Sequence, residues 1–288
     1  MFVVQLMGGL GNQMFQYAAA MALAKKRDIP VKFDFDDPYK FAKRKYNLNV
    51  FAIEPAFATT RELNRSKPKR RWAKRWWMLL GKDHRNKLFQ EKKDYHYDPA
   101  FFTCADGSYV SGFWQNYRYF SGIADDVRAA FQVKNPPSKA NADWLDKINN
   151  SNSVSVHIRR GDYVHVAKTN TLHGICSMEY YMQAINLMVD KIDNPSFFFF
   201  SDDMDWVKEN ISIAATTYFV DANDDAHNYE DMRLMSHCKH HIIANSSFSW
   251  WGAWLNPNEN KIVVAPKQWI NRTDIDTNEL IPDTWIRL

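Results

Sequence analysis

Short strand-like runs that end abruptly in polar or glycine clusters constrain this chain's fold more than any other feature. Phe2–Met7 runs into Gly8-Gly9, Ser153–Ile158 into Arg159-Arg160, Phe197–Phe200 into Ser201-Asp202-Asp203, and His240–Ala244 into Asn245-Ser246-Ser247. Near-continuous apolar runs of this length are strands covered on both faces, as in a parallel sheet. Between the runs the apolar spacing changes to three and four. Met14, Ala18, Met21 and Ala22 share one face of a helix over about 13–26. Tyr181, Ala184, Ile185 and Met188 share another over about 178–191, which Ser177 can cap. Alternating strands and helices of this kind predict an α/β fold with parallel strands.

The rhythm occurs twice. In the first half, a strand at 2–7, a tight loop at Gly8-Gly9-Leu10-Gly11-Asn12, a helix and a strand at Val31–Phe35 follow in order. In the second, strands at 153–158, 197–200, 216–220, 240–244 and 261–265 alternate with helices near 178–191, 206–210, 229–238 and 249–255. Asn135-Pro136-Pro137-Ser138 breaks the chain before a polar helix at about 139–149, and 149–153 is a polar linker. The 288 residues therefore divide into two doubly wound, Rossmann-like domains, 1–150 and 151–288.

Composition narrows the function classes. A formal net charge of +4 is too small to imply nucleic acid. The excess is local: twelve Lys and Arg between 65 and 93 surround Trp72, Trp76 and Trp77. This basic insertion at about 61–93 is a solvated helix, or a surface for anionic lipid headgroups on the inner face of a membrane. Three cysteines, Cys104, Cys176 and Cys238, lie far apart without a CxxC, which argues against a disulfide framework or zinc and fits a reducing cytoplasm. The first residues lack a basic leader, and no stretch approaches the ~20 apolar residues of a membrane span.

In open α/β sheets ligands sit at the carboxyl ends of the strands, where this chain places its polar clusters. In His157-Ile158-Arg159-Arg160-Gly161-Asp162-Tyr163, strand alternation puts His157 and Arg159 on one side. Two adjacent arginines there call for an anion, and the planar fork suits a diphosphate. The alternative is an internal Arg–Asp pair. Ser201-Asp202-Asp203-Met204-Asp205 can accept from a guanine edge, chelate a metal through Asp203 and Asp205, or cap a helix. Asn245-Ser246-Ser247-Phe248-Ser249, between strand and helix, offers backbone N–H groups to an anion, or a cap from Ser249. Gly8-Gly9-Leu10-Gly11-Asn12-Gln13 resembles a nucleotide loop without being GxGxxG.

Together these blocks resemble the bacterial α-1,2-fucosyltransferases, glycosyltransferase family 11. The opening Gly8 to Tyr17, the HxRRGDY stretch His157 to Tyr163, Phe199 to Asp203, and Met232 to Trp254 carry the likeness in order. The resemblance implies a GT-B-like fold, two α/β domains facing across a cleft, with the donor in the C-terminal domain and no metal or cofactor. The donor is then GDP-β-L-fucose and the acceptor a galactose-terminated glycan, joined in an inverting α-1,2 transfer. It further implies Arg159 on the diphosphate, Asp203 or else Asp202 on guanine, and Ser246 and Ser247 on the phosphates. His157, Arg160, Asn245, Gly9, Gly11 and Asn12 complete the expected donor-binding set. The base is open: Asp162 is one candidate, with Asp34, Asp36, His165 and His173 beside it. The rivals are a metal-dependent GT-A transferase using Asp203 and Asp205, an NAD-dependent oxidoreductase using the glycine loop, and a non-catalytic glycan-binding module.

Overall fold

A computed structural model describes residues 1–35, 45–67, 88–160 and 174–288 of the protein. Much of the basic insertion, together with Asp36, Asp162, His165 and His173, lies outside the described residues. The chain forms two compact units: Met1–Ala130 with Asn278–Leu280, and Phe131–Thr277 with Ile281–Leu288.

The first unit is built on a wholly parallel sheet, β1 (Phe2–Leu6), β2 (Val31–Phe35), β3 (Leu88–Gln90) and β4 (Tyr109–Ser111), in the order β2-β1-β4-β3. Every residue of β1 is buried, as its apolar run requires. Helix α1 (Leu10–Arg27) follows β1 and ends in Lys25, Lys26 and Arg27, whose charges complement the negative end of the helix dipole. It begins earlier than the spacing predicts. Only Gly8 and Gly9 are loop, and Gly11 and Asn12 already lie in the first helical turn. Gly8 adopts φ +78°, and a Cβ there would stand 2.7 Å from the Asn12 side chain, so this turn needs glycine. Helix α2 (Thr60–Ser66) opens on a reciprocal capping box of Thr59 and Glu62, and α3 (Ala124–Ala130) closes the main segment. Strands β3 and β4, only three residues each, escaped the sequence reading because such runs carry no resolvable period.

The second unit has six parallel strands: β5 (Asn152–Ile158), β6 (Pro195–Ser201), β7 (Thr216–Phe219), β8 (His240–Ile242), β9 (Val263–Ala265) and β10 (Ile286–Arg287). Their order is β10-β9-β8-β5-β6-β7. The chain winds outward one way from β5 and then the other way from β8, the strand order of a dinucleotide-binding fold. The topological switch point therefore lies between β5 and β8.

Helix α4 (Lys139–Asn149), capped by Ser138, packs on β5 and on α7 (Asn228–His237), so the helix ahead of the expected boundary at 150 belongs with the second unit. Helix α5 (Met178–Lys191) buries Tyr181, Ala184, Ile185 and Met188 against β5 and β6, and Ser177 caps it by accepting from the Tyr180 N–H. Helix α6 (Met204–Asn210) follows β6. Helix α8 (Ser247–Leu255) is apolar around most of its circumference and so lies inside. Trp250 and Trp251 are fully buried, and Trp250 packs against Trp254 and Trp285. Among the described residues no helix is long and apolar enough to cross a membrane.

Candidate active site

The carboxyl end of β5 carries the first cluster. Ile158 pairs with Ser201 across β5 and β6, so Arg159 and Arg160 emerge beside Asp202 and Asp203. Arg159 Nη1 lies 2.9 Å from an Asp202 oxygen. The other Asp202 oxygen accepts the Arg160 backbone N–H at 2.8 Å. Arg160 Nε meets Asp203 at 3.1 Å, and its guanidinium lies 3.7 Å from the centre of the Trp206 ring. Asp203 also caps α6 through the Trp206 N–H. The arginines are thus held by the β6 loop. Each guanidinium has a carboxylate, and Arg160 has an aromatic face as well.

His157 is buried, and its Nδ1 meets no hydrogen-bond partner among the described residues. Burial is the main force that pushes its pKa down to about 4; Arg159 adds to the shift and Asp202 opposes it. The imidazole is therefore neutral at pH 7. Tyr181 Oη donates to the His157 carbonyl at 3.2 Å and fixes the strand end on α5.

Across the switch point stands the start of α8. Val156 pairs with Ile242, which brings Arg159 and Asn245, each three residues further on, to the same level of the sheet. The Phe248 ring, in the first turn of α8, lies 5.6 Å from the His157 ring and spans the two strands. Ser246 occupies the cap position without a side-chain cap bond, and no acid stands in the first turn. Ser249, the expected cap, sits inside the helix, where its Oγ accepts the Ala244 N–H at 2.9 Å. Among the described residues no carboxylate caps the positive end of this helix. Asn245 has a bracing role: it donates to the carbonyls of Gly174 (3.3 Å) and Trp269 (3.1 Å) and accepts from Cys176 Sγ (3.4 Å).

The structure thus gathers His157, Arg159, Arg160, Asp202, Asp203, Asn245, Ser246 and Ser247 at the ends of β5, β6 and β8. Gly9, Gly11 and Asn12 belong to the first unit, where Asn12 accepts from Gln115 at 2.6 Å. Asp34, a candidate base, is buried on β2, ion-paired to Lys67 at 2.7 Å and bonded by Tyr109 Oη at 2.7 Å. Among the described residues no group of three His, Cys, Asp or Glu side chains comes together as a metal site. Trp206, Phe248 and Tyr181 were not singled out for the site from sequence, since aromatic residues in helices read as core.

A Rossmann-ordered sheet with arginines and a helix start at its switch point suits the phosphates of a nucleotide. The sequence pattern of Glycosyl transferase family 11 matches residues 1–287, and the chain belongs to that family. It is 36% identical to the alpha-1,2-colitosyltransferase of Escherichia coli, covering 99% of this chain and 98% of that one. It is 33% identical to the O-antigen biosynthesis glycosyltransferase WbnK of the same organism, over 98% of this chain and 99% of the relative. Galactoside alpha-(1,2)-fucosyltransferase 2 of Sus scrofa shares 26% identity over 90% of this chain and 71% of its own. Among solved structures, fucosyltransferase NodZ from Bradyrhizobium is similar at 14% identity and a TM-score of 0.49, over 89% of this chain and 92% of NodZ. This protein is a glycosyltransferase.

Proposed function

We propose that this protein transfers L-fucose from GDP-β-L-fucose, with inversion, to the 2-hydroxyl of a terminal galactose in a glycan. The observation that carries the reading is the placement of Arg159 and the α8 N-terminus at the same level on the two strands that flank the switch point. Breaking the fucose–phosphate bond gathers negative charge on the departing diphosphate. Arg159, aimed by Asp202, and the first backbone N–H groups of α8 stand in the second unit as fixed donors for that charge. One preorganised donor of this type is typically worth about 3–4 kcal/mol of the barrier.

In this reading Asp203 reads the guanine edge. Its two oxygens carry about four lone-pair sites, enough to accept from a base while holding Arg160. The neutral His157 and Phe248 supply an aromatic wall. Asn245 shapes the pocket from behind. Three free thiols and a nucleotide-sugar donor fit a cytoplasmic setting.

The relation to an alpha-1,2-colitosyltransferase favours a second donor, GDP-L-colitose, whose sugar is fucose without the 3-hydroxyl. The test is to incubate the protein with each donor and a panel of terminal galactosides, then assign the product linkage by NMR. An α-1,2-fucosyl galactoside is the expected product. Transfer of colitose alone moves the assignment to that donor, and no transfer from either donor overturns the reading.

A further inference from the structure

Strands β1 and β4 are neighbours at the centre of the first unit's sheet, and the segments beyond their carboxyl ends meet. Gln115, beyond β4, donates through Nε2 to Asn12 Oδ1 at 2.6 Å, in the first turn of α1. Ligands of open α/β sheets sit at such carboxyl ends.

Other groups hold the loop on both sides of Gln115. Before it, Glu91 accepts the Phe113 N–H at 2.6 Å and the Trp114 N–H at 3.2 Å. A Cβ on Gly112 would come 2.5 Å from the Glu91 Cβ, so glycine lets the loop close on this carboxylate. After it, the buried Asn116 donates to the Tyr95 carbonyl at 2.9 Å and to Glu279 at 3.2 Å, and accepts the Arg118 N–H at 3.0 Å. Trp114, buried against Phe89 and Phe101, is held at φ +54°. That left-handed conformation is rare for a bulky residue and concentrates at functional sites. Between the buried Trp114 and Asn116, Gln115 stays half-buried. A loop held this firmly does not need Gln115 for its shape; it presents one amide at the sheet edge.

An amide offers two N–H donors and a carbonyl acceptor. Asn12 takes one N–H. Among the described residues the second N–H and Oε1 of Gln115 have no hydrogen-bond partner. The charged groups of this edge are already engaged: Glu91 with the loop's N–H groups, and Arg118 with Glu279 at 3.7 Å and the Tyr97 ring at 4.8 Å. An oriented, neutral donor–acceptor pair suits a neutral hydroxylated ligand, because a sugar hydroxyl both donates and accepts.

We propose that Gln115 binds a hydroxyl of the acceptor sugar and so helps to set which acceptors the protein takes. This rests on the transferase reading above, which makes the acceptor a galactose-terminated glycan. Asn12 is the positioning residue: by accepting one N–H it fixes the amide plane, so that Oε1 and the second N–H meet a hydroxyl in one orientation. A sugar lacking that hydroxyl leaves the amide unpaired and binds more weakly.

The test measures binding of methyl β-galactoside and of its monodeoxy forms, without donor, to the wild type and to Gln115→Met, which keeps the volume and loses both hydrogen-bonding ends. Ligand-observed NMR titrations give each Kd, and calorimetry gives GDP affinity. In the wild type one deoxy form should bind about tenfold more weakly than the parent, the upper range for one neutral hydrogen bond. Gln115→Met should bind the parent about tenfold more weakly, no longer discriminate against that deoxy form, and bind GDP as the wild type does. A Gln115 that only supports the loop would weaken every galactoside alike, and that result overturns the proposal. So does parent binding within twofold of wild type, an equal loss of GDP affinity, or a wild type that binds no galactoside. If Gln115→Met does not fold, Gln115→Asn decides: its shorter amide cannot reach the same hydroxyl from Asn12, so an unchanged panel overturns the proposal. A wild type that discriminates among the galactosides through Gln115 yet transfers no sugar from either donor sinks the transferase reading instead.

Discussion

The guanidinium carbon of Arg160 lies over the ring of Trp206, 3.7 Å from its centre, while its Nε holds Asp203 at 3.1 Å. Both partners belong to the loop and helix that follow β6, so Arg160 pins that loop to the end of β5. A lysine keeps the charge but loses the planar fork and the stack. Cation–π contacts at partly buried sites contribute about 0.5–2 kcal/mol. Arg160→Ala should therefore destabilise the protein by about 2 kcal/mol in urea titration, Arg160→Lys by about half that, and transfer should survive in both. A double-mutant cycle with Trp206→Leu should give a coupling of about 0.5–2 kcal/mol.

Arg159 differs in its surroundings. Its Nη1 bonds Asp202 at 2.9 Å beyond β6, and its backbone stands level with Asn245 beyond β8. Arg159→Ala should fold normally, bind GDP more weakly, and transfer sugar about 10²–10³-fold more slowly, the range for removing one electrostatic donor. Asp202→Asn can still accept the Arg160 N–H and should cost less than Arg159→Ala. Steady-state rates with calorimetric GDP binding check both variants, and near-normal transfer by Arg159→Ala would remove the site.

Much of this site could be read from the sequence because it follows strand ends. Phe197–Phe200 is apolar at every position, so the strand and the cluster after it locate themselves. His157 to Arg160 follow the same logic. The pairing could not be read. Alternation along β5 says which side Arg159 takes, but only the register of β5 with β6 shows that Asp202 and Asp203 meet the arginines. The bracing role of Asn245 was also out of reach: nothing nearby in sequence predicts that its amide bonds the carbonyls of Gly174 and Trp269.

Asp231 on α7 predicts a pH dependence of stability. Its carboxylate accepts from Asn223 at 2.8 Å, and burial, with Glu230 adding, raises its pKa to about 7. The unfolded value is about 3.9, so the folded protein holds a proton that the unfolded chain has released. This group's stabilising effect is full below the unfolded pKa and is lost as pH rises through about 7. Asp231→Asn, neutral at every pH, should unfold at a higher temperature than wild type at pH 8, by ~1–3 kcal/mol of stability. Near pH 4 the two should be equal. Thermal melts followed by circular dichroism across that range test the sign.

The start of α8 allows one substitution that separates stability from binding. Ser247 is the first residue of a helix with no acid in its opening turn. A carboxylate there meets the positive end of the helix dipole and normally stabilises by about 0.3–1 kcal/mol. If that end exists to hold the phosphates of a nucleotide, the same carboxylate competes with them for the N–H groups and repels their charge. Ser247→Asp should therefore raise the melting temperature of the ligand-free protein slightly while weakening GDP binding at least tenfold. Raising the salt concentration should recover part of the lost affinity, because the repulsive part is screened. A Ser247→Asp protein that is more stable yet binds GDP as tightly as wild type would place the phosphates elsewhere on the sheet edge.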